Sequence, residues 1–384
     1  MFERAILHLD LDAFFVSVEC LRNSSLSGIP LIIGGRGQRS VVASCSYEAR
    51  RYGVHSAMPL QMALRLCPDA VVVHGDMDVY SRYSKLVTEI IASEAPAYEK
   101  ASIDEFYLDL SGMDRYLGCW KWSGELRQKI IRESGLPISF GLSVNKLVSK
   151  VGTGEAKPNG AKMIVKGSEK HFLAPLSVKK LPAVGDATYK KLSFMGVRTV
   201  DTLSKIPPAL LQREFGKQGL SLWNKANAID ESPVTPYSER KSLSTERTFQ
   251  IDTTDVDWLK DSLAAMVTKL AYDLRRSGKL TSCVTVKLRY ADFNTFSRQQ
   301  LIPYTANDLE LIRCARSLFD RLYERRQLVR LVGVKFSHLV EGSPQLDLFQ
   351  DTLSDNRLLR VMDQVRDRFG NTALTRASLL DGDN

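Results

Sequence analysis

The run Ala5-Ile6-Leu7-His8-Leu9-Asp10-Leu11-Asp12 constrains the fold more than any other stretch of the chain. It reads as a buried strand that ends in acid. An uncompensated charge at the end of a core strand is costly, so the fold must bring this end to where the carboxylates find partners. A second apolar run, residues 101–110, carries Asp104-Glu105 and reads as a strand or hairpin. Two readings of the acids are open. They cap turns or helices, or they supply hard oxygen ligands to divalent ions such as magnesium.

Short strands are expected at Leu31-Ile32-Ile33, Val41-Val42-Ala43, Val71-Val72-Val73 and 137–142, with helices at 47–52, 59–66, 80–93 and 121–134. Strands alternating with helices in this way imply an α/β or α+β core. Residues 166–230 read as helical, broken at Gly185, Gly196, Pro207-Pro208 and Gly216. The polar stretch 231–241, with Pro233 and Pro236, reads as a linker. Beyond it, residues 242–340 follow a βαββαβ pattern. Alternation in 284–290 puts Thr285, Lys287 and Arg289 on one face and Val284, Val286, Leu288 and Tyr290 on the other.

The 384 residues carry a formal net charge of +9, unevenly spread: +2 over 1–173, +10 over 174–340 and −3 over 341–384. A basic second half suits a polyanionic partner such as nucleic acid, the plainer reading being a solvated lysine-rich surface. No apolar run approaches the ~18 residues that cross a bilayer. The amino-terminal text lacks the basic and apolar regions of a signal peptide. Cys20, Cys45, Cys67, Cys119, Cys283 and Cys314 form no CxxC pair, and the five histidines have no metal-ligand spacing. A disulfide scaffold or zinc site is thereby disfavoured, and a reducing cytoplasm fits. No Walker A motif or Gly-x-Gly-x-x-Gly follows a strand, which argues against a P-loop NTPase or a dinucleotide enzyme.

Residues near the acids sharpen their reading. Tyr47, Arg50 and Arg51, with Lys157-Pro158-Asn159-Gly160, offer phenol, guanidinium and ammonium groups suited to phosphate oxygens. Phe14-Phe15 directly follow the first acids. Acids for metals, cations for a triphosphate and an aromatic wall together describe a nucleotide-polymerising site.

Five motifs in order then carry a family resemblance: His8-Leu9-Asp10-Leu11-Asp12-Ala13-Phe14-Phe15; Ser46-Tyr47-Glu48-Ala49-Arg50; Ser102-Ile103-Asp104-Glu105-Phe106-Tyr107-Leu108-Asp109; Gly141-Leu142-Ser143-Val144-Asn145-Lys146; and Ala156-Lys157-Pro158-Asn159-Gly160. The chain resembles the Y-family, lesion-bypass DNA polymerases of the bacterial DNA polymerase IV type, over residues 1 to about 340.

The resemblance implies an α/β (α+β) multidomain, right-hand fold. Residues 1–20 and 75–165 would be the palm, 21–74 small fingers, 166–230 a helical thumb and 242–340 a βαββαβ little finger. Asp10, Asp104, Glu105 and the Leu11 carbonyl oxygen would bind two Mg2+ ions, for which Mn2+ can substitute. Tyr47, Arg50 and Lys157 would hold the incoming dNTP. Phe15, beside Phe14, would be the steric gate against ribonucleotides, with Ser44 and Cys45 near the nascent pair. Asp12 and Asp109 would be structural. Low fidelity would follow from the small fingers, and the chain has no spare length for a proofreading nuclease.

For primer–template DNA, the resemblance implies contacts from Ser102 and from a helix-hairpin-helix at Ala183, Val184 and Gly185, where Ala183 replaces the usual glycine. The basic candidates beyond are Lys241, Arg247, Lys287, Arg289, Arg298, Arg330 and Lys335. Gln345-Leu346-Asp347-Leu348-Phe349 resembles the peptide that docks bacterial replication proteins on the sliding clamp. After it, Leu358, Met362, Val365 and Phe369 share one helical face. A monomer in the cytoplasm at the nucleoid, with no membrane, completes the expectation. The rivals are a non-catalytic DNA- and clamp-binding adaptor, a palm-type nucleotidyl cyclase and an enzyme needing accessory subunits.

Overall fold

A computed structural model describes residues 3–35, 37–113, 118–236, 239–324, 327–342, 352–370 and 373–374. The chain divides into two units, 1–238 and 239–384. In the first, β1 (Ile6–Leu11) leads into α1 (Phe14–Arg22), β2 (Leu31–Gly34), β3 (Val42–Cys45), α2 (Tyr47–Arg51), α3 (Leu60–Leu66), β4 (Val71–Val73) and α4 (Met77–Glu94). There follow β5 (Tyr98–Lys100), β6 (Glu105–Asp109), α5 (Cys119–Ser134), β7 (Ile138–Ser143), α6 (Lys146–Ala156) and β8 (Ala161–Met163).

The acid-ended strand is central. The five-stranded sheet runs β5-β6-β1-β7-β8, with β1 antiparallel to both neighbours. A central strand covered on both faces must be apolar, and Ile6, Leu7, Leu9 and Leu11 are all fully buried. Leu7, Leu9 and Leu11 pack with Val87, Ile91 and Ile130 of α4 and α5. On the other face lies α6, close enough that a Cβ on Gly141 would meet the Ser149 carbonyl oxygen at 2.2 Å. Only glycine permits that approach, and it brings the lysines of α6 over the end of β1.

Residues between α1 and α4 form a small three-stranded sheet, β3-β2-β4, around Ile32, Val42 and Ala63. Helices α7 (Glu169–Leu173), α8 (Asp186–Phe194), α9 (Val200–Ser204), α10 (Pro208–Phe215) and α11 (Lys217–Ala226) gather around Leu173, Leu192, Leu203 and Leu211. The turn before α8 holds Ala183 at φ +67°, a left-handed conformation that a glycine would adopt at less cost.

The second unit comprises β9 (Ser242–Thr253), α12 (Val256–Arg276), β10 (Lys279–Tyr290), β11 (Thr295–Thr305), α13 (Asp308–Leu322), β12 (Val329–Glu341) and α14 (Thr352–Phe369). Its antiparallel sheet, β11-β10-β12-β9, has Val284, Val286, Leu288 and Tyr290 buried against α12 and α13. This is the βαββαβ pattern read from the sequence.

The sequence puts Leu358, Met362, Val365 and Phe369 on one face of α14 without saying what that face meets. Leu358 and Phe369 are 60% and 65% exposed, whereas Leu359 and Arg366 are buried. Polar anchors decide the rotation of the helix. Arg275 of α12 donates to Asp363 through Nε (2.6 Å) and Nη2 (2.9 Å), and through Nη1 to the fully buried Asp308 at 2.5 Å. Tyr272 donates to Asp367, and the Arg366 guanidinium lies 5.9 Å from the Tyr272 ring centroid.

Candidate active site

Register places the acids. Asp10 on β1 is the direct partner of Glu105 on β6, so the two carboxylates leave adjacent strands side by side. Asp104 lies in the turn entering β6, where its carbonyl accepts from the Leu11 N–H at 3.1 Å. Ser102, expected near a primer end, shapes this turn. Its Oγ accepts from the N–H groups of Asp104 (3.2 Å) and Glu105 (3.0 Å) and donates to Asp104 Oδ1 at 2.6 Å.

Two lysines meet the acids. Lys157, at the end of α6, is ion-paired to Asp10. Lys150 donates to both oxygens of Glu105, at 2.7 and 2.6 Å. Sequence reasoning missed Lys150, although it lies one turn after Lys146 on the same helical face. Burial pushes the Asp10 carboxyl up to about 7; Lys157 opposes the shift, and the nearby Glu105 and Asp104 charges add to it. Oxygen-only donors crowded by like charge fit a hard divalent cation. Among the described residues, no three His, Cys, Asp or Glu side chains converge on one point. Glu105 and Asp104 are instead turned to Lys150 and Ser102.

A cavity of about 190 Å³ opens on one side of the Asp10–Lys157 pair, lined by Leu11, Phe15, Ser44, Arg50 and Asp104 among others. Phe15 is half-buried and stacks on Tyr80. The Arg50 guanidinium sits 4.7 Å over the Tyr47 ring and donates through Nε to the Cys45 carbonyl at 3.2 Å. Burial and the Asp12 charge push the Tyr47 hydroxyl up to about 12, so it is a neutral donor. Two expected nucleotide neighbours behave differently. Phe14, though it reaches the cavity edge, is 3% exposed and belongs to the core. Cys45 is fully buried, its thiol donating to the Val54 carbonyl at 3.4 Å.

On the other side, a cavity of about 370 Å³ runs from Asp10 and Glu105 past Lys150 to Lys179, Lys180 and the turn 181–184. The candidate hairpin residues Ala183 and Val184 line it; Gly185 caps α8.

In the second unit, the candidate basic residues do not share one surface. Thr285 is opposite Lys335, so Lys287, Arg289 and Lys335 lie on the face away from the helices. Lys287 is ion-paired there to Glu246 at 2.8 Å. Arg298 opposes Val286 and Arg247 opposes Val332, which assigns both to the helix-bearing side. A register shift of one residue reverses the face, and sequence alone does not set that register. Arg330 sits beside a register irregularity, over the Phe293 ring at 4.5 Å. Lys241 is exposed just before β9. The candidate peptide at 345–349 lies outside the described residues.

Comparisons with known proteins agree along the chain. The impB/mucB/samB family matches residues 9–154, its C-terminal domain 240–348, and a DNA polymerase-iota thumb domain 179–230. DNA polymerase IV of Dehalococcoides mccartyi (strain CBDB1) is 36% identical over 371 residues, covering 96% of this chain and 95% of that protein. DNA polymerase IV of Staphylococcus haemolyticus is 37% identical, covering 89% and 96%. The solved structure of a Y-family DNA polymerase chimera, Dbh-Dpo4(243-245)-Dbh, aligns with a TM-score of 0.77 at 26% identity, over 88% of this chain and all of that one. An insertion ternary complex of Dbh DNA polymerase shares the fold with a TM-score of 0.63 at 24% identity, over the same shares.

Proposed function

Because the chain belongs to the Y-family DNA polymerases of the DNA polymerase IV type, we propose that this DNA-directed, lesion-bypassing polymerase works by two-metal nucleotidyl transfer. The observation that carries the mechanism is the pairing of Asp10 with Glu105 on adjacent strands, beside Lys157 and a cavity floored by Phe15.

Asp10, Asp104, Glu105 and the Leu11 carbonyl oxygen would hold two Mg2+ ions, with Mn2+ as substitute. When bound, such ions ease formation of the attacking oxygen and neutralise charge on the leaving one. The chain's residues position the rest. Tyr47, Arg50 and Lys157 grip the triphosphate, Phe15 excludes a ribose 2′-hydroxyl, and Ser44 borders the new pair. The primer 3′-oxygen bonds to the α-phosphorus while the bond to pyrophosphate breaks.

In domain terms, the five-stranded sheet is the palm, the three-stranded sheet the fingers, residues 166–230 the thumb and 242–340 the little finger. Three strands of three or four residues make fingers too small to enclose a template base tightly, which supports low fidelity. Gln345, Leu346, Asp347, Leu348 and Phe349 dock a monomer on the sliding clamp in the cytoplasm.

Primer extension with four dNTPs and magnesium tests the mechanism. Wild type should extend, and Asp104→Ala/Glu105→Ala should not while still binding primer–template. Extension by the double variant would sink the metal assignment.

A further inference from the structure

Asp12 reads from the sequence as a structural acid, yet its contacts lie on the nucleotide side of the site. Its side chain is 2% exposed and meets four groups from three other parts of the fold. Oδ2 accepts from Ser139 Oγ at 2.8 Å and from the Asn159 N–H at 2.7 Å. Oδ1 accepts from the Tyr47 hydroxyl at 3.4 Å and lies 3.9 Å from Lys157 Nζ. Ser139 Oγ in turn accepts the Gly160 N–H at 3.1 Å. Two successive amides of the turn after Lys157 thus rest on the Asp12–Ser139 pair. Asn159 takes φ +49° there, a left-handed conformation that needs such support.

We propose that Asp12 is a positioning residue for the incoming triphosphate, setting Tyr47 on α2 and Lys157 on its turn from one buried carboxylate. One oxygen fixes the palm-side turn and the other faces α2, so the acid ties two phosphate-binding groups that are 110 positions apart in sequence. Its carboxylate is offset by the Lys157 ammonium and by the hydroxyl and amide donors around it. The proposal rests on the triphosphate reading of Tyr47 and Lys157.

Single-turnover incorporation at varied dNTP concentration tests it, with primer–template affinity measured alongside. Asp12→Ala should weaken dNTP binding about tenfold or more, the scale of a lost hydrogen bond to a charged group, and leave DNA affinity unchanged. Asp12→Asn keeps one acceptor oxygen and should fall between. Ser139→Ala touches no substrate and should weaken dNTP binding in the same direction by less. Unchanged dNTP affinity with a lowered maximal rate would overturn the proposal. If the Asp12 variants fail to fold, Ser139→Ala decides: unaltered dNTP affinity then refutes it. A wild type that incorporates nothing would refute the polymerase mechanism instead. An active wild type whose dNTP affinity ignores Tyr47→Phe and Lys157→Ala would refute the triphosphate reading.

Discussion

The rings of Phe15 and Tyr80 lie nearly parallel, with centroids 4.4 Å apart and planes 14° from each other. Tyr80 is buried, and its hydroxyl donates to Glu19 at 2.8 Å. Phe15 therefore stacks on a ring that is itself anchored by a hydrogen bond. Phe15→Ala should raise ribonucleotide incorporation relative to deoxyribonucleotide by about a hundredfold, the scale on which a pocket rejects one added group. The ratio of kcat/KM for matched rNTP and dNTP measures this, and an unchanged ratio removes Phe15 from sugar selection.

Ala183 carries backbone strain at φ +67°. Ala→Gly ordinarily destabilises, but here the relief of left-handed strain offsets the entropy lost with glycine. Ala183→Gly should be neutral or stabilising by up to about 1 kcal/mol. Denaturant unfolding checks it; a clear loss would mean the strain is not felt.

Arg275 compensates Asp308, which is fully buried, as well as Asp363 of α14. Removing one member of a buried ion pair costs about 3–5 kcal/mol. Arg275→Ala should destabilise by that order and free α14 to proteolysis. Asp363→Asn should free α14 with a smaller loss of stability. Protected α14 in both variants would show that apolar contacts alone hold it.

The +10 over residues 174–340 should make DNA affinity fall with salt at a log–log slope of about −3 or steeper. Titrations at several salt concentrations give the slope, and a flat response would exclude a grip through phosphate contacts.

The peptide at 345–349 is tested by Leu348→Ala/Phe349→Ala. Stimulation by the sliding clamp should vanish while clamp-free extension stays at the wild-type rate. Surviving stimulation would put the principal dock elsewhere.

Much of the fold was legible because periodicity reports burial. The run before Asp10 is a central strand because nearly every residue in it is apolar, and alternation in 284–290 placed Val284 and Val286 inward. The candidate site was legible where residue types are chemically demanding: Asp10, Glu105 and Lys157 do come together. That the Cys45 thiol is buried and that Arg298 lies on the helix-bearing side was not legible, because a side chain's face depends on register and local twist, which neighbours impose. Lys150 went unnoticed because a lysine on a helix looks like any solvated lysine until its partner strand is known.

The sequence by itself determined that the run before Asp10 is a buried strand, where acids end it and the βαββαβ order of the second unit, since these follow from local periodicity and the cost of buried charge. Only the tertiary structure decided that Lys150 meets Glu105, that Asp12 joins Tyr47 to Asn159, and that Arg275 turns α14 onto Leu359 rather than Leu358. Those contacts join residues from 35 to 147 positions apart. Burial and directional hydrogen bonding set such pairings when the elements pack, and no local pattern encodes them.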